Sequence, residues 1–243
     1  MPKPLLFHIL LAAHLLGDFY FQSQALADAK KRSAVAVIKH CLYYGALMAA
    51  VLLLFYGLSC LRVLGCAAIA HAVIDLLKFH CREQLWAYPP KWVFIVDQLL
   101  HLAVLTALAA YSALEIRQFT FPYGQFFPYP GSDPLRFGCL VLFLGKPCNL
   151  LLKFCNLKPG AETKQTAADF SAGAVIGTLE RLLTAILFLL KQYGAISVAF
   201  AAKTLTRYPR MNEDPNFSEY YLIGTLGSLL LSIAATLFFF PPA

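Results

Sequence analysis

Apolar positions in this chain fall in long runs, at about 4–21, 34–57, 60–79, 92–113, 135–152, 172–191, 194–207 and 219–240. Several approach the ~20 residues a helix needs to cross a bilayer. The pattern predicts an all-α membrane protein, a multi-span helical bundle of about seven to eight transmembrane helices. The seventh run is short and is expected to re-enter if it does not span. Pro89-Pro90 separates the third and fourth runs, and Lys146-Pro147 is expected to kink the fifth. Three regions follow: a four-helix membrane domain over 1–113, a Pro- and aromatic-rich outer loop over 114–134, and further membrane helices over 135–243. Gly173-xxx-Gly177 and Gly224-xxx-Ser228 are small-xxx-small patterns that permit close helix contact.

Polar cassettes interrupt the first four runs. They are His14-Leu-Leu-Gly-Asp18, His71-Ala-Val-Ile-Asp75 and Asp97-Gln-Leu-Leu-His101. Each sets a histidine and an aspartate four residues apart, on one face of a helix. His40 lies early in the second run. One Asp at a helix centre costs roughly 2.5–3.5 kcal/mol in a bilayer, so a compensating function or partner is expected.

Composition supports the bilayer as solvent. The chain of 243 residues is 59% hydrophobic and 14% charged, with mean hydropathy +0.64; an ordinary soluble domain is about 25% charged. The net charge of +7 is not arranged as a basic patch with interleaved aromatics, which argues against nucleic acid. Seven cysteines without a CxxC or a secreted-protein spacing read as buried thiols. The N-terminus imitates a signal peptide, but His8, His14 and Asp18 interrupt its apolar core, so a retained first helix is expected.

Basic residues suggest an orientation. With eight spans and an outside N-terminus, fourteen Lys and Arg fall on one side and five on the other, which predicts cytoplasmic basic loops. His14, Asp18, His40, His71, Asp75, Asp97 and His101 then share one depth on the cytoplasmic side. A shift of 57 superposes His14 on His71, Asp18 on Asp75 and His40 on Asp97, which suggests two related hairpins packed as a four-helix bundle.

Four histidines and three aspartates exceed the needs of one tetrahedral ion. They suit one or two divalent ions (Zn, Mn or Fe), with Asp18, Asp75 and Asp97 as ligands, bridges or a catalytic base. Interhelical His–Asp hydrogen bonds without metal are the alternative. A second cluster holds Glu180, Arg181, Lys203, Arg207 and Glu219. It reads either as structural ion pairs of Glu180 and Glu219 with the basic groups, or as a pocket in which Arg181, Lys203 and Arg207 bind an anionic part of a substrate.

The run His14-Leu-Leu-Gly-Asp-Phe-Tyr-Phe-Gln22, with His71-xxx-Asp75-Leu-Leu-Lys78 and Asp97-Gln-Leu-Leu-His101, resembles the bacterial integral-membrane family catalogued as domain of unknown function 3307. Ile176-Gly-Thr-Leu-Glu-Arg181, Ala202-Lys-Thr-Leu-Thr-Arg207 and Glu219-Tyr-Tyr-Leu-Ile-Gly-Thr225 resemble its longer members. The resemblance implies a multi-spanning inner-membrane protein and no particular activity. A looser similarity to membrane-bound metal-dependent hydrolases, including the alkaline ceramidases, extends to reaction class alone, since the ceramidase HxxxH pair is missing. The expected function is a membrane-embedded metal-dependent hydrolase acting from the cytoplasmic side on a lipid, lipid-linked or membrane-peptide substrate. The rivals are a divalent-ion or proton transporter or channel, and a non-enzymatic scaffold or sensor.

Overall fold

A computed structural model describes residues 4–85, 87–112, 134–154 and 167–241. All the regular elements among them are helical: α1 (Pro4–Leu15), α2 (Gln24–Lys30), α3 (Ala34–Tyr56), α4 (Leu61–His80), α5 (Arg82–Leu85), α6 (Pro90–Tyr111), α7 (Pro134–Leu144), α8 (Lys146–Phe154), α9 (Ala167–Leu189), α10 (Tyr193–Glu213) and α11 (Pro215–Phe239). The predicted outer loop, apart from Pro134, lies outside the described residues. Two compact units form, Met1–Cys139 and Leu140–Ala243.

Four described stretches are long and apolar enough to cross a membrane: Ala34–His80, Pro90–Tyr111, Pro134–Phe154 and Pro215–Phe239. A fifth is added if Leu5–Tyr20 and Gln24–Lys30, which meet at 89°, form one broken span. Ala34–His80 folds back on itself, since Gly45 approaches Ala68 and the Tyr44 ring lies on His71. The expected count of seven to eight spans is not reached on this criterion. α9 carries Glu180-Arg181 and α10 carries Lys203, Arg207 and Arg210, and charge of this kind lowers the hydropathy of a span. The fifth run is broken at Gly145, one residue before Lys146-Pro147, and Pro147 sits in the first turn of α8, where its missing N–H costs nothing.

In the first unit α1 packs against α3 and α6, α3 against α4, and α4 against α6. The buried positions recur at intervals of four: His40, Tyr44, Met48, Leu52 and Tyr56 on α3; Val63, Ala67, His71 and Asp75 on α4; Asp97, His101, Leu105 and Ala109 on α6. Each helix therefore turns an i±4 ridge inward. Along every ridge the polar residues occupy one end and apolar residues the rest. Leu6, Ile9, Leu10, Met48, Leu52, Tyr56, Cys60, Leu105 and Ala109, all at most 3% exposed, fill the apolar end of the interior. No disulfide joins the described cysteines. His8, which interrupts the first apolar run and reads from sequence as a lone interfacial histidine, is buried, and its carbonyl accepts a bond from the Cys139 thiol.

The second unit packs α9 against α11, with α10 against both and α8 against α9 and α11. Small hydroxyl side chains line the α9–α11 contact: Ser232 Oγ donates to the Arg181 carbonyl, and Thr236 Oγ1 to the Ser232 carbonyl. Such residues let helices approach where water gives no hydrophobic drive. Ser228 of the second small-xxx-small pattern faces Arg181, whereas Gly173 of the first is exposed with open space at its Cβ position.

Candidate metal centre

The four helices run alternately, so the end of α1, the start of α3, the end of α4 and the start of α6 meet at one level. Just past α1, Leu16–Tyr20 form a π-helical turn that carries Asp18. Such turns insert one residue and re-aim those after it. Gly17 is required in this turn, because a Cβ there would lie 2.8 Å from the Tyr44 ring. Tyr44 in turn stacks on His71, centroids 3.6 Å apart and planes 3° apart, and fixes the imidazole's tilt.

Four ligand-type atoms converge. His40 Nε2 lies 3.0 Å from Asp18 Oδ1, 3.2 Å from His71 Nε2 and 3.6 Å from Asp75 Oδ2. His71 Nε2 lies 3.7 Å from Asp18 Oδ1 and 3.8 Å from Asp75 Oδ2. A tetrahedral ion with bonds of about 2.0–2.1 Å has ligand–ligand edges of about 3.3–3.4 Å. The five distances bracket that edge. Two triads have ligand atoms within 4.8 Å of one another, His14–Asp18–His71 and His40–His71–Asp75, and His71 is common to both.

The other predicted groups surround these four. His14 Nδ1 lies 3.3 Å from the Tyr44 hydroxyl, His14 Nε2 3.4 Å from Gln98 Oε1 and 3.9 Å from Asp18 Oδ2. Asp97 lies 2.8 Å from Lys78 Nζ and accepts from Gln98 Nε2 at 3.1 Å. His101 Nδ1–H donates to the Asp97 carbonyl at 2.8 Å, which leaves Nε2 as a buried nitrogen with no hydrogen-bond partner among the described residues. One ring nitrogen donating to a carbonyl while the other presents its lone pair is the habit of a metal-binding imidazole. The donor set and this orphaned nitrogen both fit a divalent transition ion.

Five contributors were not singled out in the sequence as site residues: Gly17, Lys30, Tyr44, Lys78 and Gln98. Lys30 reaches from α2 to within 2.6 Å of Asp75 Oδ2, and Lys78 lies 3.8 Å from Asp75 Oδ1. Lys78 is one helical turn from Asp75, Tyr44 one turn from His40, and Gln98 is inside a cassette. Each had a spacing signal, whereas Lys30 had none beyond membership of a basic loop.

The second cluster separates. The buried Arg181 donates from Nε to the Leu144 carbonyl (2.8 Å), from Nη2 to Asn149 Oδ1 and Thr178 Oγ1 (both 3.1 Å), and from Nη1 to Ser228 Oγ (3.5 Å). Lys203 pairs with Glu180 at 2.5 Å on a half-exposed face and lies over the Tyr221 ring. Arg207 and Glu219 are exposed and make no ion pair among the described residues. The expected pocket of Arg181, Lys203 and Arg207 does not form, because successive positions 180 and 181 point to different sides of α9. Of the expected acidic partners, Glu180 is paired and Glu219 is not.

These observations define an all-helical chain, among the described residues, with helices long and apolar enough to cross a membrane and a buried His/Asp cluster at one end of its N-terminal unit. Residues 6–125 match the model of the family described as Protein of unknown function (DUF3307), so the resemblance read in the cassettes holds over the region that builds the cluster. The C-terminal stretches lie outside that match. No curated protein and no solved structure matches the chain.

Proposed function

We propose that the first unit is a four-helix membrane bundle holding one or two divalent ions (Zn, Mn or Fe), and that it hydrolyses a lipid, lipid-linked or membrane-peptide substrate. The observation that carries this reading is the set of five distances, 3.0–3.8 Å, among Asp18, His40, His71 and Asp75. In this assignment those four hold the ion, and His14 and His101 either complete a second position or orient the first. Such an ion supplies Lewis acidity toward a carbonyl or phosphoryl oxygen. Asp97 serves as the base, with Lys78 and Gln98 holding its carboxylate in place.

The apolar fill beyond the His/Asp level favours an enzyme over a channel, since an ion crossing the unit would have to pass Met48, Leu52, Leu105 and Ala109. The excess of basic residues supports a cytoplasmic placement of the site in a bacterial inner membrane. Elemental analysis of detergent-purified protein tests the assignment: near-stoichiometric Zn, Mn or Fe is expected, lost in His40→Ala and His71→Ala. Full metal retention in both variants would falsify it. A panel of ester, amide and phosphoester lipids then identifies the bond cleaved.

A further inference from the structure

Lys30 and the proposed ion make a claim on the same atom. Lys30 Nζ sits 2.6 Å from Asp75 Oδ2, the oxygen that lies 3.6 and 3.8 Å from the Nε2 atoms of His40 and His71. Lys78 bridges Asp75 and Asp97 at 3.8 and 2.8 Å. Three carboxylates against two ammonium groups leave the cluster at −1 when its imidazoles are neutral, and a divalent ion carries it to +1. Once Asp75 is drawn to an ion, two lysines in a largely buried site face a cation with less carboxylate to share. Uncompensated positive charge in such a place is costly, and an oxyanion bridging the ammonium groups and the ion removes it.

We propose that Lys30 and Lys78 form an oxyanion subsite, and that the substrate class is a phosphate-bearing lipid whose phosphoryl oxygens they hold. The assignment rests on the metal reading above. Exposure fits the role: the Lys78 side chain is 37% exposed and that of Lys30 13%, against 1–2% for His40, His71 and Asp75, so the two lysine side chains are the more accessible part of the cluster. Lysine suits a phosphoryl group as a compact, mobile point charge that can leave one oxygen for another. α2 lets Lys30 do so, because it is a short helix with no buried residue, capped by Ser23, whose movement disturbs no core.

The test titrates purified protein, loaded with the metal found by elemental analysis, with inorganic phosphate, and separately with nanodiscs of phosphatidylcholine with or without phosphatidic acid. Wild type is expected to bind phosphate or phosphatidic acid, and Lys30→Met and Lys78→Met to weaken that binding about tenfold or more. Lys30→Met should at the same time leave metal affinity unchanged or raise it, since the lysine and the ion compete for Asp75. Opposite signs for metal and phosphate exclude simple damage to the fold. Tighter binding of phosphatidic acid than of free phosphate assigns the group to a lipid, and the reverse assigns a soluble phosphate to the same subsite. Metal-loaded protein that ignores both phosphates, or binds them equally well in both variants, overturns the subsite while sparing the metal centre. Failure to take up metal removes both.

Discussion

Both units bury strongly polar groups among apolar helices, but they resolve the cost in opposite ways. Arg181 in the second unit is a five-donor group whose partners include a carbonyl, an amide oxygen and two hydroxyls. Its donors are directed at oxygens that α7, α8, α9 and α11 supply, and the arrangement ties four helices together. In the first unit imidazoles and carboxylates crowd together. Asp18, His40, His71 and Asp75 set ligand-type atoms 3.0–3.8 Å apart, with Lys30 against Asp75, and His101 adds a nitrogen without a hydrogen-bond partner among the described residues. A satisfied donor is a structural tie, whereas ligand-type atoms crowded this closely are a demand for a cation. Burial alone does not separate the two cases, since Arg181 is 1% exposed and His71 2%.

Substitutions can break this contrast. The largest effect is expected for Asp18→Asn, which removes the carboxylate that lies against both His40 and His71. Metal affinity should fall more than about a hundredfold, because outer partners alone are worth about 10–100-fold; equilibrium dialysis reads it. Arg181→Met should leave metal content unchanged but lower the thermal midpoint in detergent by several degrees, as each orphaned acceptor costs about 1–3 kcal/mol. A metal loss in that variant with an intact midpoint would merge the two units' roles. Gly17→Ala comes next. It pushes the Tyr44 ring off His71 and should weaken metal binding about tenfold with little change in stability. Tyr44→Phe keeps the stack and loses only the hydroxyl against His14, so a change of about threefold or less is expected. The smallest effect belongs to Glu180→Gln, which opens a half-exposed ion pair worth about 0–1 kcal/mol and should leave both metal and midpoint nearly unmoved.

Sequence reading captured the first unit better than the second for a physical reason. Helical periodicity ties a residue to its own face, so a pair four apart declares itself, and three such pairs at matching ends of antiparallel helices had to meet. The helix boundaries followed for the same reason, with α3, α4 and α6 lying close to the predicted runs. Contributions that depend on another element were hidden. Lys30 reaches the site only because the chain bends by 89° between α1 and α2, and that bend follows a π turn no periodicity announces. The polar partners of Arg181 on α7, α8 and α11 were not legible, because adjacent residues on a helix diverge by about 100° and Glu180 and Arg181 meet different neighbours. The count of seven to eight spans is not confirmed, because the charges of α9 and α10 keep those helices below the hydropathy of a span.

The rim around the cluster has unequal heights. α3 begins six residues before His40, α6 seven before Asp97, and α4 continues five beyond Asp75, whereas the helical turn after Asp18 stops at Tyr20, two residues on. At about 1.5 Å per residue the wall on the α1 side is lower by about 5–8 Å. In a bilayer that deficit is a local hydrophobic mismatch, which lipids meet by thinning and letting headgroups sink. On that side the chain past Tyr20 continues as α2, so the short wall is completed by a helix with no buried residue, and the cover that brings Lys30 to Asp75 is the least anchored part of the rim.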